Sequence, residues 1–213
     1  MTAGGSADAW ARQLRGGLRQ AVLRRVRAWL GMRPSRADQH AARLAHGALG
    51  EQATARILDQ LEAEGWWVRH DLRLRGRRFN LDHVLVSPCG TGLVVVDSKH
   101  WRRGPGHETA LVQGRVHCGR DDRHAQVQAL AGYANLVAQA VGLPAAAVRP
   151  LLVVHGSPVA GGWFETAVRN ERVLVLGPDR LLTTLRSAPA GRDARAAAAL
   201  AVRVDRVLVP YGG

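Results

Sequence analysis

An α/β sandwich is predicted by three observations. Apolar stripes at helical spacing recur near both ends of the chain, short Val- and Leu-rich strands fill residues 66–118, and helix followed by further apolar strands returns after residue 121. With 213 residues the chain is long enough to bury one sizeable core with appended helices.

Residues 7–31 carry Trp10, Leu14, Leu18, Val22, Val26 and Trp29 or Leu30 at spacings of three and four. They predict an amphipathic helix whose other faces are arginine. Such a helix could dock on the domain, pair with a second copy in a homodimer, or lie on an anionic membrane surface or along DNA. Residues 32–37, with Pro34, read as a linker. A second helix is expected from Asp38 to Glu64, closing at Gly65, with Gly47 and Gly50 allowing close approach of another backbone or a phosphate. Glu51 follows at once.

Residues 66–74 read as a strand, and Arg75, Gly76, Arg77 and Arg78 as a basic turn. Two strands then flank the turn Pro88-Cys89-Gly90-Thr91, and residues 110–118 predict a hairpin about Gln113-Gly114. A helix is expected over 121–141, strands over 151–155 and 173–176, and helices over 178–187 and 192–208. Residues 156–170 are Gly-rich and carry no periodic signal. The organisation expected is a helix and linker over 1–36, a domain over 37–190 and a terminal helix over 191–213.

The net charge of +13 predicts attraction to polyanions, nucleic acid first and an anionic membrane surface second, falling steeply with salt. Cys89 and Cys118 form no disulfide framework, and no stretch is long and apolar enough to span a bilayer. A cytoplasmic protein is the expectation, and the disulfide-scaffold and helical-membrane classes are excluded. His117, Cys118 and His124 match no usual zinc spacing.

The chemistry concentrates in residues 79–101. Asp82 stands in the first strand of the hairpin, and Asp97 and Lys99 end the second, among Val and Leu. Charges in a core strand need a reason. Lys99 is the only lysine, every other fixed basic residue being arginine, which singles out a position where a compact, titratable ammonium is wanted. Alternation puts Asp97 and Lys99 on one face and turns His83 and His100 away from it. If Pro88 to Thr91 make the turn, Ser87 pairs with Gly92 and Asp82 falls opposite Asp97. Two carboxylates so placed repel unless a cation lies between them, and Mg²⁺ suits oxygen ligands of this kind. Lys99 could then orient or help deprotonate an attacking water.

The segments Gly47-Ala48-Leu49-Gly50-Glu51, Asn80-Leu81-Asp82-His83, Cys89-Gly90 and Val96-Asp97-Ser98-Lys99-His100-Trp101, with Gln126 opening a helix, resemble the nuclease-related domain, NERD. That family is placed in the PD-(D/E)xK restriction-endonuclease-like superfamily, and the resemblance spans residues 43–155. It implies a central mixed sheet flanked by helices and a Mg²⁺- or Mn²⁺-dependent nuclease, with DNA as the expected partner. It makes Asp82 and Asp97 metal ligands, Glu51 a further ligand or water holder, Lys99 the catalytic lysine, and Gln126 a helper near the lysine or the phosphate. Arg75, Arg77, Arg78, Arg102 and Arg103 flank this site on loops and are candidates to hold the nucleic-acid backbone. Two departures stand out. Leu81 replaces the superfamily's nominal proline, and Asp97 replaces the usual Glu of the family. The shorter Asp97 leaves open a second expectation, a catalytically silent module that binds nucleic acid or a partner protein.

Overall fold

A seven-stranded mixed sheet organises the protein, in the order β10-β1-β2-β3-β7-β9-β8. The structure is a computed structural model, and it describes residues 47, 49–169, 171–187 and 191–211. The helix and linker expected over 1–36, and the start of the helix expected from Asp38, lie outside the described residues.

Residues 49–58 form α1, which tightens into a 3-10 turn over Asp59–Glu64 and ends at Gly65 in the left-handed region. The strands β1 (Trp67–Leu74), β2 (Leu81–Val86) and β3 (Leu93–His100) follow as an antiparallel meander. A separate three-stranded sheet comes next, made of β4 (Thr109–Val112), β5 (Arg115–Cys118) and β6 (Asp121–Asp122). Its first hairpin turns at Gln113 and Gly114, both at positive φ, as expected from the sequence.

Helix α2 (His124–Val141) begins three residues later than the predicted start at residue 121, because Asp121 and Asp122 pair with β5 as β6. It crosses to β7 (Val148–His155), which lies parallel to β3. The unplaced stretch 156–170 contains β8 (Trp163–Val168), an edge strand paired to β9 (Glu171–Leu176). Then come α3 (Pro178–Arg186), with Pro at its start, and α4 (Ala194–Val207), capped by the Asp193 carboxylate on the Ala196 amide. The last helix was expected to reach residue 208. It stops at Val207, and β10 (Leu208–Pro210) continues the chain as a strand on the free edge of β1. The C-terminal residues are thereby part of the main sheet.

Alternation along the central strands divides the core in two. Val84, Val86, Leu93, Val95, Leu152 and Val154 pack under α2 and α4 through Val127, Leu130, Val137, Leu200 and Val204. Leu85, Val94, Val96, Leu151 and Val153 pack under α1 and α3 through Leu58, Leu181 and Leu185. A sheet buried on both faces explains why β2 is buried along its whole length, including Asp82 and His83. The turn before β2 is anchored by Phe79, which stacks on Tyr133 of α2 at 4.2 Å between ring centroids.

The parallel run β3, β7, β9 ends on one side of the sheet. The β1–β2 turn, the start of β2, the loop after β3 and the loop after β7 all meet there. Ligand sites of open α/β sheets form at such strand ends.

Candidate active site

The β2–β3 register is the one counted from the turn. Ser87 N–H donates to the Gly92 carbonyl at 3.0 Å, and the ladder runs from Val86 opposite Leu93 to His83 opposite Val96. The next position on that register sets Asp82 against Asp97. There the side chain of Asp82 replaces a backbone rung: its Oδ2 accepts from the Ser98 amide at 2.8 Å. Its Oδ1 accepts from Asn80 Nδ2 at 3.4 Å.

Asp97 and Lys99 project from β3 on the α2 side, and Lys99 Nζ lies 2.6 Å from Asp97 Oδ2. Despite that distance, Asp97 Oδ2 is buried and receives no hydrogen bond of regular geometry. The contact is an ion pair across a poor angle, with an acceptor lone pair left over. Lys99 Nζ also leans on the Ser98 carbonyl at 3.4 Å.

The electrostatics follow from this crowding. Burial, then the Asp97 charge, push the Asp82 carboxyl up to about 6 against the opposing pull of Lys99 and the Ser98 amide. Burial also raises Asp97, while the ammonium beside it pulls the other way. Burial would lower Lys99, but the carboxylates of Asp97, Asp82 and Glu51 outweigh it and hold its pKa above the usual value. The 2.6 Å contact between the Lys99 ammonium and Asp97 Oδ2 favours the charged form of both groups.

Glu51, on the first turns of α1, is half-buried and is pushed up to about 8 by burial, by a hydrogen bond with Asp71 and by the Asp82 charge. The structure thus brings Glu51, Asp82, Asp97 and Lys99 into one electrostatic cluster. Gly50 next to it packs on the His155 ring and the His100 Cβ, at 3.4 Å and 3.5 Å from where a Cβ would stand. His155 in turn is hydrogen-bonded to Thr54 of α1 at 2.8 Å, which fixes the helix against the end of β7. Gly156 has φ +82, and a Cβ there would meet the Trp101 carbonyl at 2.3 Å. Only glycine lets β7 leave the sheet this close to the site.

Gln126 turns towards Trp101. Its Oε1 accepts from Trp101 Nε1 at 3.1 Å. An indole can only donate, so the amide oxygen must face Trp101 and the Nε2 donors point elsewhere. Arg75, Arg77 and Arg78 are exposed on the β1–β2 turn, and Arg102 and Arg103 on the loop after β3, all at the site's end of the sheet. Arg75 Nε is tied to the Arg206 carbonyl at 3.0 Å. Arg103 lines a cavity of about 420 Å³ with Gly156, Pro158, Gly177 and Asp179.

His83 faces away from Asp97, as alternation required, and is fully buried. Its Nδ1 lies 2.7 Å from His70 Nδ1 and its Nε2 3.2 Å from Ser98 Oγ, while His70 Nε2 reaches Asp59 Oδ1 at 2.8 Å. Burial drives His83 down to about 3, so the ring is neutral. This chain braces Ser98 from behind while its amide holds Asp82. His124 accepts the Val116 amide at 3.4 Å and Cys118 is buried at the end of β5, so both serve packing.

One member of the cluster has no counterpart in the sequence reading. Asp71, in β1, is the residue between the pairs His70–His83 and Leu72–Leu81, and therefore stands across from Asp82. Its position in the strand was visible, but the β1–β2 register was not.

Whether this donor set suits a divalent cation is answered by the orphaned Asp97 Oδ2. A buried carboxylate oxygen with an unused lone pair, next to a second carboxylate whose charge is resisted, fits an oxygen-ligated cation. Among the described residues no three His, Cys, Asp or Glu side chains close into an all-protein cage. Mg²⁺, which keeps water or substrate oxygens, does not require one.

The family model for the nuclease-related domain, NERD, matches residues 46–155, which contain every member of the cluster. No curated protein and no solved structure matches the chain.

Proposed function

Because the chain belongs to the nuclease-related domain family, we propose that it is a divalent-metal-dependent nuclease hydrolysing phosphodiester bonds of DNA. The observation that carries this reading is the pairing of the buried Asp82 and the part-buried Asp97 with the chain's single lysine at the ends of the parallel strands. Asp82 and Asp97 would hold Mg²⁺ or Mn²⁺ with Glu51 as a further ligand or water holder. The bound cation would supply activation of water and screening of charge on the phosphorus oxygens.

Lys99 acts as an ammonium, because the surrounding carboxylates hold its proton. It orients the attacking water and stabilises charge developing on the phosphoryl group. Neutralisation of Asp82 and Asp97 would release part of that hold and bring Lys99 closer to proton transfer. Gln126, its oxygen taken by Trp101, offers its Nε2 to a phosphate oxygen. Arg77, Arg78, Arg102 and Arg103, with Arg75 behind them, flank the strand ends and suit a phosphate backbone, as does the net charge of +13.

Purified protein with Mg²⁺ or Mn²⁺ is expected to cleave plasmid or single-stranded DNA, and Lys99→Ala to abolish cleavage. Equal activity in the variant sinks the assignment. A second reading, a silent module that binds nucleic acid, is favoured by the same Lys99–Asp97 ion pair, since an ammonium can satisfy Asp97 permanently. Calorimetry separates the two: binding of Mg²⁺ that is lost in Asp82→Ala belongs to the nuclease alone.

A further inference from the structure

We propose that the exposed indole of Trp163, with Arg103 and Arg180 about the cavity beside Lys99, binds an unpaired stretch of DNA a few nucleotides from the scissile bond. The inference deepens the nuclease reading, on which it rests, by naming the form of strand the site takes, single rather than double.

The cavity opens at the end of the sheet where the cluster lies. It measures about 420 Å³, and Arg103, Val154, Gly156, Gly162, Gly177 and Asp179 are among its walls. Val154 is the register partner of Lys99 on β7, and a Cβ on Gly156 would meet the Trp101 carbonyl, so the cavity begins one strand away from the lysine. Its wall is held in place: Ser157 Oγ lies 2.7 Å from Thr109 Oγ1, and the Thr109 amide donates to the Pro158 carbonyl at 2.8 Å, which ties the loop after β7 to β4. A volume of this size suits one small ligand and not a duplex.

Trp163 follows Gly162 directly, and the Gly162 carbonyl accepts the Gly177 amide at 3.2 Å, so the indole starts from the cavity's wall. Its partner Leu176 packs in the layer under α3, which sets Trp163 on that face of the sheet. The ring is 53% exposed, whereas Trp66 and Trp101 are buried. A single exposed apolar side chain needs no explanation by itself. This one is flanked by cations. Arg180, on the first turn of α3, brings its Nε to 3.1 Å from where a Cβ on Gly162 would stand, and Arg103 enters from the loop after β3. Asp179 is the carboxylate among these walls, and Arg180 Nε lies 3.8 Å from its Oδ2 and offsets its charge.

An aromatic platform between cations is the arrangement that holds single strands, because every base has a face to stack and the phosphates follow the positive charge. Bases inside a duplex offer an indole no free face. The edge strand β8 is three strands from β3, about 14 Å at the usual spacing, which a few nucleotides span.

Fluorescence anisotropy with a labelled oligothymidylate in EDTA, where no strand is cut, tests binding apart from cleavage. Wild type is expected to bind it more tightly than a duplex of equal length. Trp163→Ala should weaken the single strand by about 5- to 100-fold and leave the duplex within about twofold, the retained duplex binding showing that the variant is folded. Trp163→Phe, which keeps a ring to stack, should stay within about threefold of wild type. Arg103→Ala and Arg180→Ala should each reduce the slope of log affinity against log salt by about 0.7, while Trp163→Ala leaves it unchanged. Wild-type oligothymidylate binding in Trp163→Ala, equal losses on single strand and duplex, or a Trp163→Phe variant as weak as Trp163→Ala would each overturn the proposal. So would a wild type that does not bind oligothymidylate. Cleavage with Mn²⁺ is read separately: a wild type that binds through Trp163 but cuts nothing keeps this surface and removes the hydrolysis.

Discussion

The Ser98 amide donates to Asp82 Oδ2 at 2.8 Å, one position beyond the last backbone rung between their strands. A carboxylate therefore does the work of a carbonyl in joining β2 to β3, and the same carboxylate is offered to the site.

Substitutions at Asp82 should split structure from function. Asp82→Asn keeps an oxygen for the Ser98 amide and removes a charge that burial opposes, so the fold should be as stable as wild type or more so near neutral pH. Asp82→Ala leaves a buried amide without a partner and should lose about 1–3 kcal/mol. Urea denaturation reads the stability, and both variants should lose Mg²⁺-dependent cleavage.

Lys99 competes with any cation for Asp97. Lys99→Ala should therefore bind Mn²⁺ a few-fold more tightly while cleavage falls by at least about 10²-fold. Lys99→Arg should not restore activity, since a planar guanidinium cannot replace a compact ammonium at 2.6 Å from Asp97 Oδ2. Calorimetry beside a cleavage assay checks both halves; weaker Mn²⁺ binding in Lys99→Ala would remove the competition argument.

The pH dependence of stability has two opposing arms. His83 is depressed to about 3, so the unfolded chain takes up a proton below its ordinary 6.5 while the fold refuses it. Stability is lost as pH falls through that window, on the order of 5 kcal/mol in total. Asp82 is raised to about 6, so stability is lost as pH rises from its ordinary 3.8 towards 6, on the order of 3 kcal/mol. From about pH 4.5 upward Glu51, raised to about 8, adds to the Asp82 arm and outweighs His83, so wild-type stability should decline as pH rises towards 8. In Asp82→Asn the decline between about pH 4.5 and 6 should be weaker, as urea midpoints at several pH values would reveal.

Glu51 extends the alkaline arm, since its carboxyl is raised to about 8. Above pH 6 the ionised cluster needs a counter-charge, so Mg²⁺ should raise the melting temperature more at pH 8 than at pH 6. Thermal scans with and without Mg²⁺ at the two pH values give the answer; equal shifts would mean that the carboxylates do not take the cation.

Trp101→Phe removes the donor that orients Gln126 while keeping an aromatic ring in the core. Cleavage should fall by about tenfold, chiefly in kcat, with a stability change of about 1 kcal/mol. Steady-state kinetics would show it, and an unchanged kcat would take Gln126 out of the site.

Much of the site was legible because its rules are local. Alternation along β3 sets Asp97 and Lys99 on one face, and a four-residue turn closed by Ser87 and Gly92 sets the register that brings Asp82 across. The family motifs then pointed to Glu51 and Gln126. What local rules could not reach were features held by distant partners. Asp71 owes its place across from Asp82 to the β1–β2 register and is held by Tyr211, which is 140 positions away in the chain. The strands β8 and β10 are short edge elements whose pairing, not their propensity, makes them strands. His70, His83 and Ser98 meet only because two registers align.

The sequence by itself determined the α/β class, the charged hairpin and its register, since periodicity and turn length act over a few residues. Tertiary structure alone decided that Asp71 falls across from Asp82, that Gln126 turns its oxygen to Trp101, and that the C-terminal residues join the sheet. The physical reason is that these depend on how separate strands and helices are registered against one another, and no stretch of contiguous chain encodes that.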